Sequence, residues 1–353
     1  MGYYEKLLKI NKIREAMLDE KSKILFDARI DYMITRDAEK FCDVSSSLEN
    51  IWYCKEVNDV LGKIENNIIV IFGSGHDGVK TKRILEKCNY SPKFFCDSDS
   101  TKVGTKIDDL EVLAIDELLQ NYNNCLVVLG SAKYAKEMYQ SLLARNFPKE
   151  RILYPQCGIL IAQCGKQYFD MFSCTKEEVF IDGGGYIGDT LLDFLDWTDY
   201  NYEKVYVFEP IKEMLHSVEK IIKEKSLDGV ELYNNGLWSK KETLQFLEAQ
   251  SGSRVTETGE LIVEGVSLDE VIKGEKVTFI KMDIEGSELE ALKGAKNIIK
   301  KNRPRLAICI YHKPEDILEI PLYIQELVPE YKFYIRHYSS CMWETVLYAE
   351  VCK

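Results

Sequence analysis

The sequence predicts a mixed α/β chain, with two successive series of short buried strands alternating with helices and an antiparallel hairpin closing the second. Three observations predict it. From Asn67 onward the apolar runs IIVIFG, KFFCDSD and CLVVLG alternate with helical stretches, which is the rhythm of a parallel sheet. A second series opens at Glu178, with EVFIDGG, KVYVFEP, VELYNN, VTFIKMD and RLAICIY as its strands. Last, YKFYIRHYS and ETVLYAEV are separated by too few residues for a parallel crossover, so they pair antiparallel.

Residues 1–62 carry apolar side chains at helical spacing and no strand-like alternation. They read as an N-terminal segment of one or two amphipathic helices, either a preface packed on the next domain or an arm for a homodimer. Residues 63–156 form a small α/β domain closing near Pro155, and residues 157–353 form the second, larger one. Within the latter, TLQFLEAQSGSRVTETGELIVEG reads as extra strands or a hairpin.

Composition narrows the class. Apolar content is 46%, yet no run is long enough for a membrane span. The first residues are dense in charge and lack the apolar centre of a signal peptide. Lys6 stands where a myristoylation site needs a small hydroxyl residue. A net charge of −12, with scattered Lys and Arg, argues against a nucleic-acid partner. Eleven cysteines include no C-x-x-C pair. Cys125 and Cys309 fall inside apolar runs as small hydrophobes. Cys157, Cys164 and Cys174 lack zinc-ligand spacing, so no metal is assigned. Reduced thiols point to the cytoplasm.

The stretch VFIDGGGYIGDT follows the first strand of the second series with Gly183, Gly184 and Gly185, and Gly188 enters the next helix. Ligands of open α/β sheets bind beyond the carboxyl ends of the strands. Glycine there permits positive φ and close approach. The second strand ends in Glu209, a carboxylate able to accept both hydroxyls of a ribose. Asp182 precedes the glycines and would repel a pyrophosphate. A ribose-bearing ligand with positive charge and no phosphate satisfies all three features, and S-adenosylmethionine is such a ligand.

In FIKMDIEGSELEALKGAKNIIKKN, Lys281 and Asp283 interrupt a buried strand and share one face. They pair with each other or with a ligand, because a lone buried charge is expensive. Ser287 and Glu290 have the spacing of a capping box, which makes Glu290 structural and frees Asp283 and Glu285 for chemistry. His312 ends the fifth strand, where it could converge with Asp283 and Glu285 and take a proton from a hydroxyl. His337 is a weaker candidate, and His216 lies on a helix.

With these residues in view, VFIDGGGYIGDT, VYVFEP, VSLDEVI, FIKMDIEGSELEALKGA and RPRLAICIYH resemble the FkbM family of S-adenosylmethionine-dependent methyltransferases, from about Glu178 to Tyr338. The resemblance implies a class I methyltransferase fold. It implies methyl transfer to oxygen, with hydroxyls of sugars and polyketide-like products as acceptors. By position it puts Asp182 and Gly184 at the methionine end of the cofactor, Glu209 on the ribose, Asn234 or Asn235 near the adenine, and Asp283 facing the reacting centre. Positioning does most of the work in such a transfer. His312 is then the expected base, oriented by Glu285 or Asp283; a divalent ion held by Asp283 and a neighbour is the alternative.

The earlier stretch VIFGSGHDGVK fits a dinucleotide fingerprint through Gly73, Gly75 and Gly78, with Asp97 ending the next strand. Its domain resembles the small Rossmann-like domain at the front of bacterial sugar-modifying enzymes, which implies a nucleotide-sugar site or a non-catalytic platform. Two rival functions follow: a nicotinamide-dependent oxidoreductase using this loop, or a non-catalytic nucleotide-sugar-binding protein.

Overall fold

The structure, a computed structural model, describes residues 3–48, 55–63, 68–131, 133–153, 166–247, 254–255, 261–339 and 341–351. Two compact units divide the chain. The large unit holds residues 1–45, 165–338 and 342–353; the small unit holds 46–164 and 339–341.

Four helices open the chain: α1 (Tyr3–Glu15), α2 (Glu20–Thr35), α3 (Ala38–Ser47) and α4 (Lys55–Leu61). They do not behave as one preface. Val57 of α4 packs in the core of the small unit with Ile69, Leu85 and Leu126, whereas α1 and α2 belong to the large unit.

The small unit runs β1 (Ile69–Phe72), α5 (His76–Lys87), β2 (Phe94–Cys96), β3 (Lys106–Ile107), β4 (Leu110–Leu113), α6 (Ile115–Asn121), β5 (Leu126–Leu129), α7 (Ala135–Leu143) and β6 (Ile152–Leu153). Its sheet order is β3-β4-β2-β1-β5-β6, parallel except for the β3–β4 hairpin. Strand order therefore reverses at β1, where β2 and β5 flank it, and a crevice opens at such a point. The expected boundary near residue 156, and Cys157 and Cys164, lie outside the described residues.

The large unit begins with β7 (Val179–Gly183), α8 (Asp189–Thr198), β8 (Lys204–Phe208), α9 (Lys212–Lys225) and β9 (Val230–Tyr233). The insert follows as β10 (Gly236–Leu237), β11 (Glu242–Leu247), β12 (Arg254–Val255) and β13 (Leu261–Val266), a separate small sheet of order β10-β13-β11-β12. Residues 248–253 and 256–260 of that insert lie outside the described residues. Then come α10 (Leu268–Val271), β14 (Phe279–Met282), α11 (Glu288–Gly294), α12 (Lys296–Asn302), β15 (Arg305–Cys309), α13 (Asp316–Leu327), β16 (Tyr331–His337) and β17 (Thr345–Val351).

The main sheet has the order β16-β17-β15-β14-β7-β8-β9, with only β17 antiparallel to its neighbours. Buried aromatic side chains pack on it: Phe180 of β7 stacks on Phe194 of α8 at 4.5 Å, and Phe169, from the segment before β7, packs edge-on to Phe279 of β14 at 5.8 Å. Each such ring contributes about 1.5–3 kcal/mol by leaving water. The switch point lies between β7 and β14, which places the tips of β7, β8, β14 and β15 around one crevice.

The N-terminal helices dock on the β16 edge of their own chain. Phe333 donates to the Ala16 carbonyl at 3.0 Å and accepts from Leu18 at 2.8 Å. Ser22 Oγ accepts the Ile335 N–H at 2.9 Å. Asp19 caps α2 through the Ser22 N–H and pairs with Arg336. His337 is buried here with its Nδ1 2.7 Å from Thr345 Oγ1 and its ring edge-on to Phe41, away from the crevice.

Candidate active site

The turn after β7 is built from glycine for a reason internal to the fold. Gly184 has φ +82°, and a Cβ there would lie 2.0 Å from the Asp283 carbonyl. The close approach the sequence assigns to a ligand is thus made, at this residue, to the neighbouring strand end. Gly183 closes β7 and Gly188 is the N-cap of α8. Gly185 packs toward the Val207 side chain.

Asp182 is wholly buried and binds Lys281, Oδ1 to Nζ at 2.9 Å. The two residues are direct partners in the parallel β7–β14 register. Lys281 also donates to the carbonyls of Gly183 at 3.2 Å and Gly184 at 2.7 Å, so it neutralises the acid and ties the turn to the sheet. Burial opposes the lysine's charge, but Asp182 and Asp283 hold its pKa above the usual value. Asp182 is therefore not a bare carboxylate facing the ligand, although its Oδ2 has no hydrogen-bond partner among the described residues. Lys281 pairs with Asp182 rather than with Asp283.

At the tip of β8, Glu209 is oriented by two backbone donors: Tyr186 N–H to Oε2 at 2.9 Å and Ile211 N–H to Oε1 at 2.8 Å. Each oxygen keeps a second lone pair. Burial raises its pKa, against the pull of those two N–H groups. Beside it Asn234 donates to the carbonyls of Glu209 and Pro210, and Asn235 to that of Glu264. Both asparagine amides are thereby fixed to backbone.

Asp283, Glu285 and His312 do lie together. His312 Nε2 is 3.5 Å from Asp283 Oδ1 and 3.3 Å from Glu285 Oε2, and its Nδ1 is 3.0 Å from Glu288 Oε1. Burial alone would discharge this imidazole; Glu288, Glu285 and Asp283 instead push its pKa up to about 11. A ring that holds its proton at neutral pH cannot accept one from a hydroxyl, so the electrostatics argue against the base role given to His312. The capping box differs as well. Ser287 makes no side-chain cap bond, Glu290 pairs with Lys293, and it is Glu288 that turns back to accept the Ile284 N–H at 2.9 Å.

Sequence reasoning missed a second ring of residues. Tyr168 Oη donates to Asp283 Oδ2 at 2.9 Å and Tyr311 Oη to Oδ1 at 3.0 Å. Burial pushes the Asp283 carboxyl up, but Lys281, His312 and these hydroxyls outweigh it and hold the group below its usual range. Gln167 links Tyr168 to Glu344, at 3.0 Å and 2.5 Å. Burial and then the Asp283 charge push Glu344 up to about 7.

A seven-stranded sheet of this order, a glycine turn after its first strand and an acidic tip on its second define a class I methyltransferase, which takes its methyl group from S-adenosylmethionine. Residues 182–332 match the family model described as the methyltransferase FkbM domain. No curated protein matches the chain. Among solved structures the chain is similar to methyltransferase FkbM from Methylobacillus flagellatus KT, at 17% identity and TM-score 0.49, over 94% of this chain and 99% of that one. It is also similar to an rRNA methylase from Streptococcus thermophilus (15%, TM-score 0.36, 51% and 90% covered). A third is a SAM-dependent methyltransferase from Aquifex aeolicus (15%, TM-score 0.31, 50% and 85% covered). No helix among the described residues is long and apolar enough to cross a membrane.

The small unit has its own cavity, about 680 Å³, at the tips of β1, β2 and β5. Gly78 packs α5 onto the turn, since a Cβ there would sit 1.9 Å from the Gly73 carbonyl. Asp97 is already engaged by its own loop: it accepts from Ser74 N–H, Ser74 Oγ, Asp99 N–H and Lys102 Nζ. Burial raises its pKa, but these donors together bring it down to about 2. Carboxylates of Asp77, Asp97, Asp99 and Glu137 line the cavity against Lys102, an unfavourable setting for a pyrophosphate. Asp97→Asn is expected to destabilise the small unit by on the order of 1–3 kcal/mol at neutral pH. Because the native pKa is depressed, that contribution is present above about pH 4 and disappears toward pH 2. Urea unfolding of both proteins across that range checks it.

Proposed function

We propose that the chain transfers a methyl group from S-adenosylmethionine to a hydroxyl of a sugar, glycan or related small molecule. The observation that carries the cofactor half is Glu209: a buried carboxylate at the tip of β8, oriented by the N–H groups of Tyr186 and Ile211, with lone pairs left for a ribose. Tyr186 and Ile187 expose apolar surface at the same turn, suited to a flat aromatic base. When bound, the cofactor supplies a methyl group on a sulfonium.

The chain's own residues handle the acceptor and its proton. Asp283 stays ionised between Tyr168 and Tyr311 and, facing the reacting centre, favours positive charge there. His312 keeps its proton and fixes Asp283 and Glu285. Glu344, near 7, is the group suited to take the hydroxyl proton, becoming neutral as it does so, while the Gln167 amide donates to it and to Tyr168 and holds both in place. The saccharide class of acceptor rests on the family resemblance, and a lining of carboxylates and tyrosines suits a hydroxyl-rich molecule.

The test is transfer of labelled methyl to a panel of sugars, glycans and nucleotide-sugars. Alkali-stable label on an oxygen is expected. Glu344→Gln should lower kcat by on the order of 10²–10⁴ while leaving cofactor affinity unchanged. Label found on nitrogen, or an unaltered kcat in the variant, would overturn the reading.

A further inference from the structure

Three carboxylates, Asp283, Glu285 and Glu288, surround His312, and the donors of this cluster are incompletely paired. Glu288 is fully buried; one oxygen accepts the Ile284 N–H, and Oε2 has no hydrogen-bond partner among the described residues. The His312 side chain is only 9% exposed, and neither ring nitrogen makes a well-formed hydrogen bond, although Glu288, Glu285 and Asp283 stand 3.0–3.5 Å away. One donor atom from each of Asp283, Glu288 and His312 lies within 4.8 Å of the others. Donors at about 2.0–2.2 Å from an ion sit roughly 3–4.4 Å apart, so a contraction of about half an ångström closes the set.

From this geometry we infer that Asp283, Glu288 and His312 form a divalent-cation site, with Glu285 at its rim. Two carboxylates and one imidazole suit a borderline ion such as Mn²⁺ or Zn²⁺ better than an all-oxygen ion such as Ca²⁺. Asp283 precedes the turn Ile284–Gly286 and Glu288 begins α11, so one short segment brings both acids to the histidine after β15. A bound cation takes His312 as a neutral imidazole and replaces the protonated ring in holding Asp283, so the protonated His312 belongs to the ion-free site. The use of the ion in acidifying an acceptor hydroxyl rests on the reading above; its binding does not.

The experiment uses the full chain, stripped with chelator and titrated with Mn²⁺. Expected are one saturable site per chain and ¹⁴N coupling from one imidazole in pulsed electron paramagnetic resonance. Glu288→Gln should weaken Mn²⁺ by at least about tenfold, with S-adenosylmethionine affinity retained as the check on folding. His76→Gln, at the exposed histidine of the other cavity, should change nothing. Absence of saturable binding by the wild type, absence of nitrogen coupling, or loss of the coupling in His76→Gln overturns the site. Binding without any effect of chelator on methyl transfer leaves the site standing and removes only its catalytic use.

Discussion

Lys281→Met is expected to destabilise the large unit by about 3–5 kcal/mol, more than any other single replacement at the strand tips. The methionine fills the space of the lysine stem but leaves Asp182 wholly buried beside nothing that can neutralise it. It also removes the donor to the carbonyls of Gly183 and Gly184, so the turn that carries the site loosens as well. The sign of the pH dependence is distinctive. Burial already raises the Asp182 pKa against the pull of Lys281; without the lysine, burial and the nearby Asp189 and Asp283 charges raise it further, so the variant loses stability as pH climbs above about 4 and recovers part of the deficit below it. Urea unfolding followed by tryptophan fluorescence checks both points, because Trp197, Trp238 and Trp343 all lie in the large unit. Asp182→Asn combined with Lys281→Met should be less damaging than Lys281→Met alone. A deficit below about 1 kcal/mol would mean that water reaches the pair.

Glu209→Ala should abolish measurable binding of S-adenosylmethionine. Two charged hydrogen bonds to a ribose contribute roughly 3–6 kcal/mol together, or about 10²–10⁴ in affinity. The variant also releases the Tyr186 and Ile211 N–H groups that orient the carboxylate, so the fold is checked separately. Titration calorimetry on folded variant, confirmed by an unchanged melting temperature, is the measurement. Affinity within threefold of wild type would remove Glu209 from the cofactor site.

Most of the second sheet was legible because its strands are short apolar-rich runs, several followed by a glycine, an acid or a histidine at the tip. The β3–β4 hairpin was not: its strands are two and four residues long, and its turn uses Asp108 and Asp109 at positive φ, where the usual hairpin signal is Asn-Gly. The site was legible up to register and burial. Lys281 and Asp182 are 99 residues apart, and only the alignment of β14 on β7 makes them partners. The capping-box spacing points to Glu290 and gives Glu288 no role, and which of them faces inward depends on where α11 meets His312. The histidine's charge state was hidden for the same reason, since it is set by three carboxylates from one turn and one helix start. Gln167, Tyr168 and Glu344 come from segments that no local pattern joins.

The docking of the first helices has a consequence for the chain in solution. β16 is the outermost strand of its sheet, and its outward N–H groups at Phe333 and Ile335 are taken by Ala16 and Ser22. A shortened chain starting after residue 36 would present those donors, on a strand rich in aromatics, to any neighbour able to extend the ladder. Self-association of such a fragment, rather than simple unfolding, is what the bare edge would bring about.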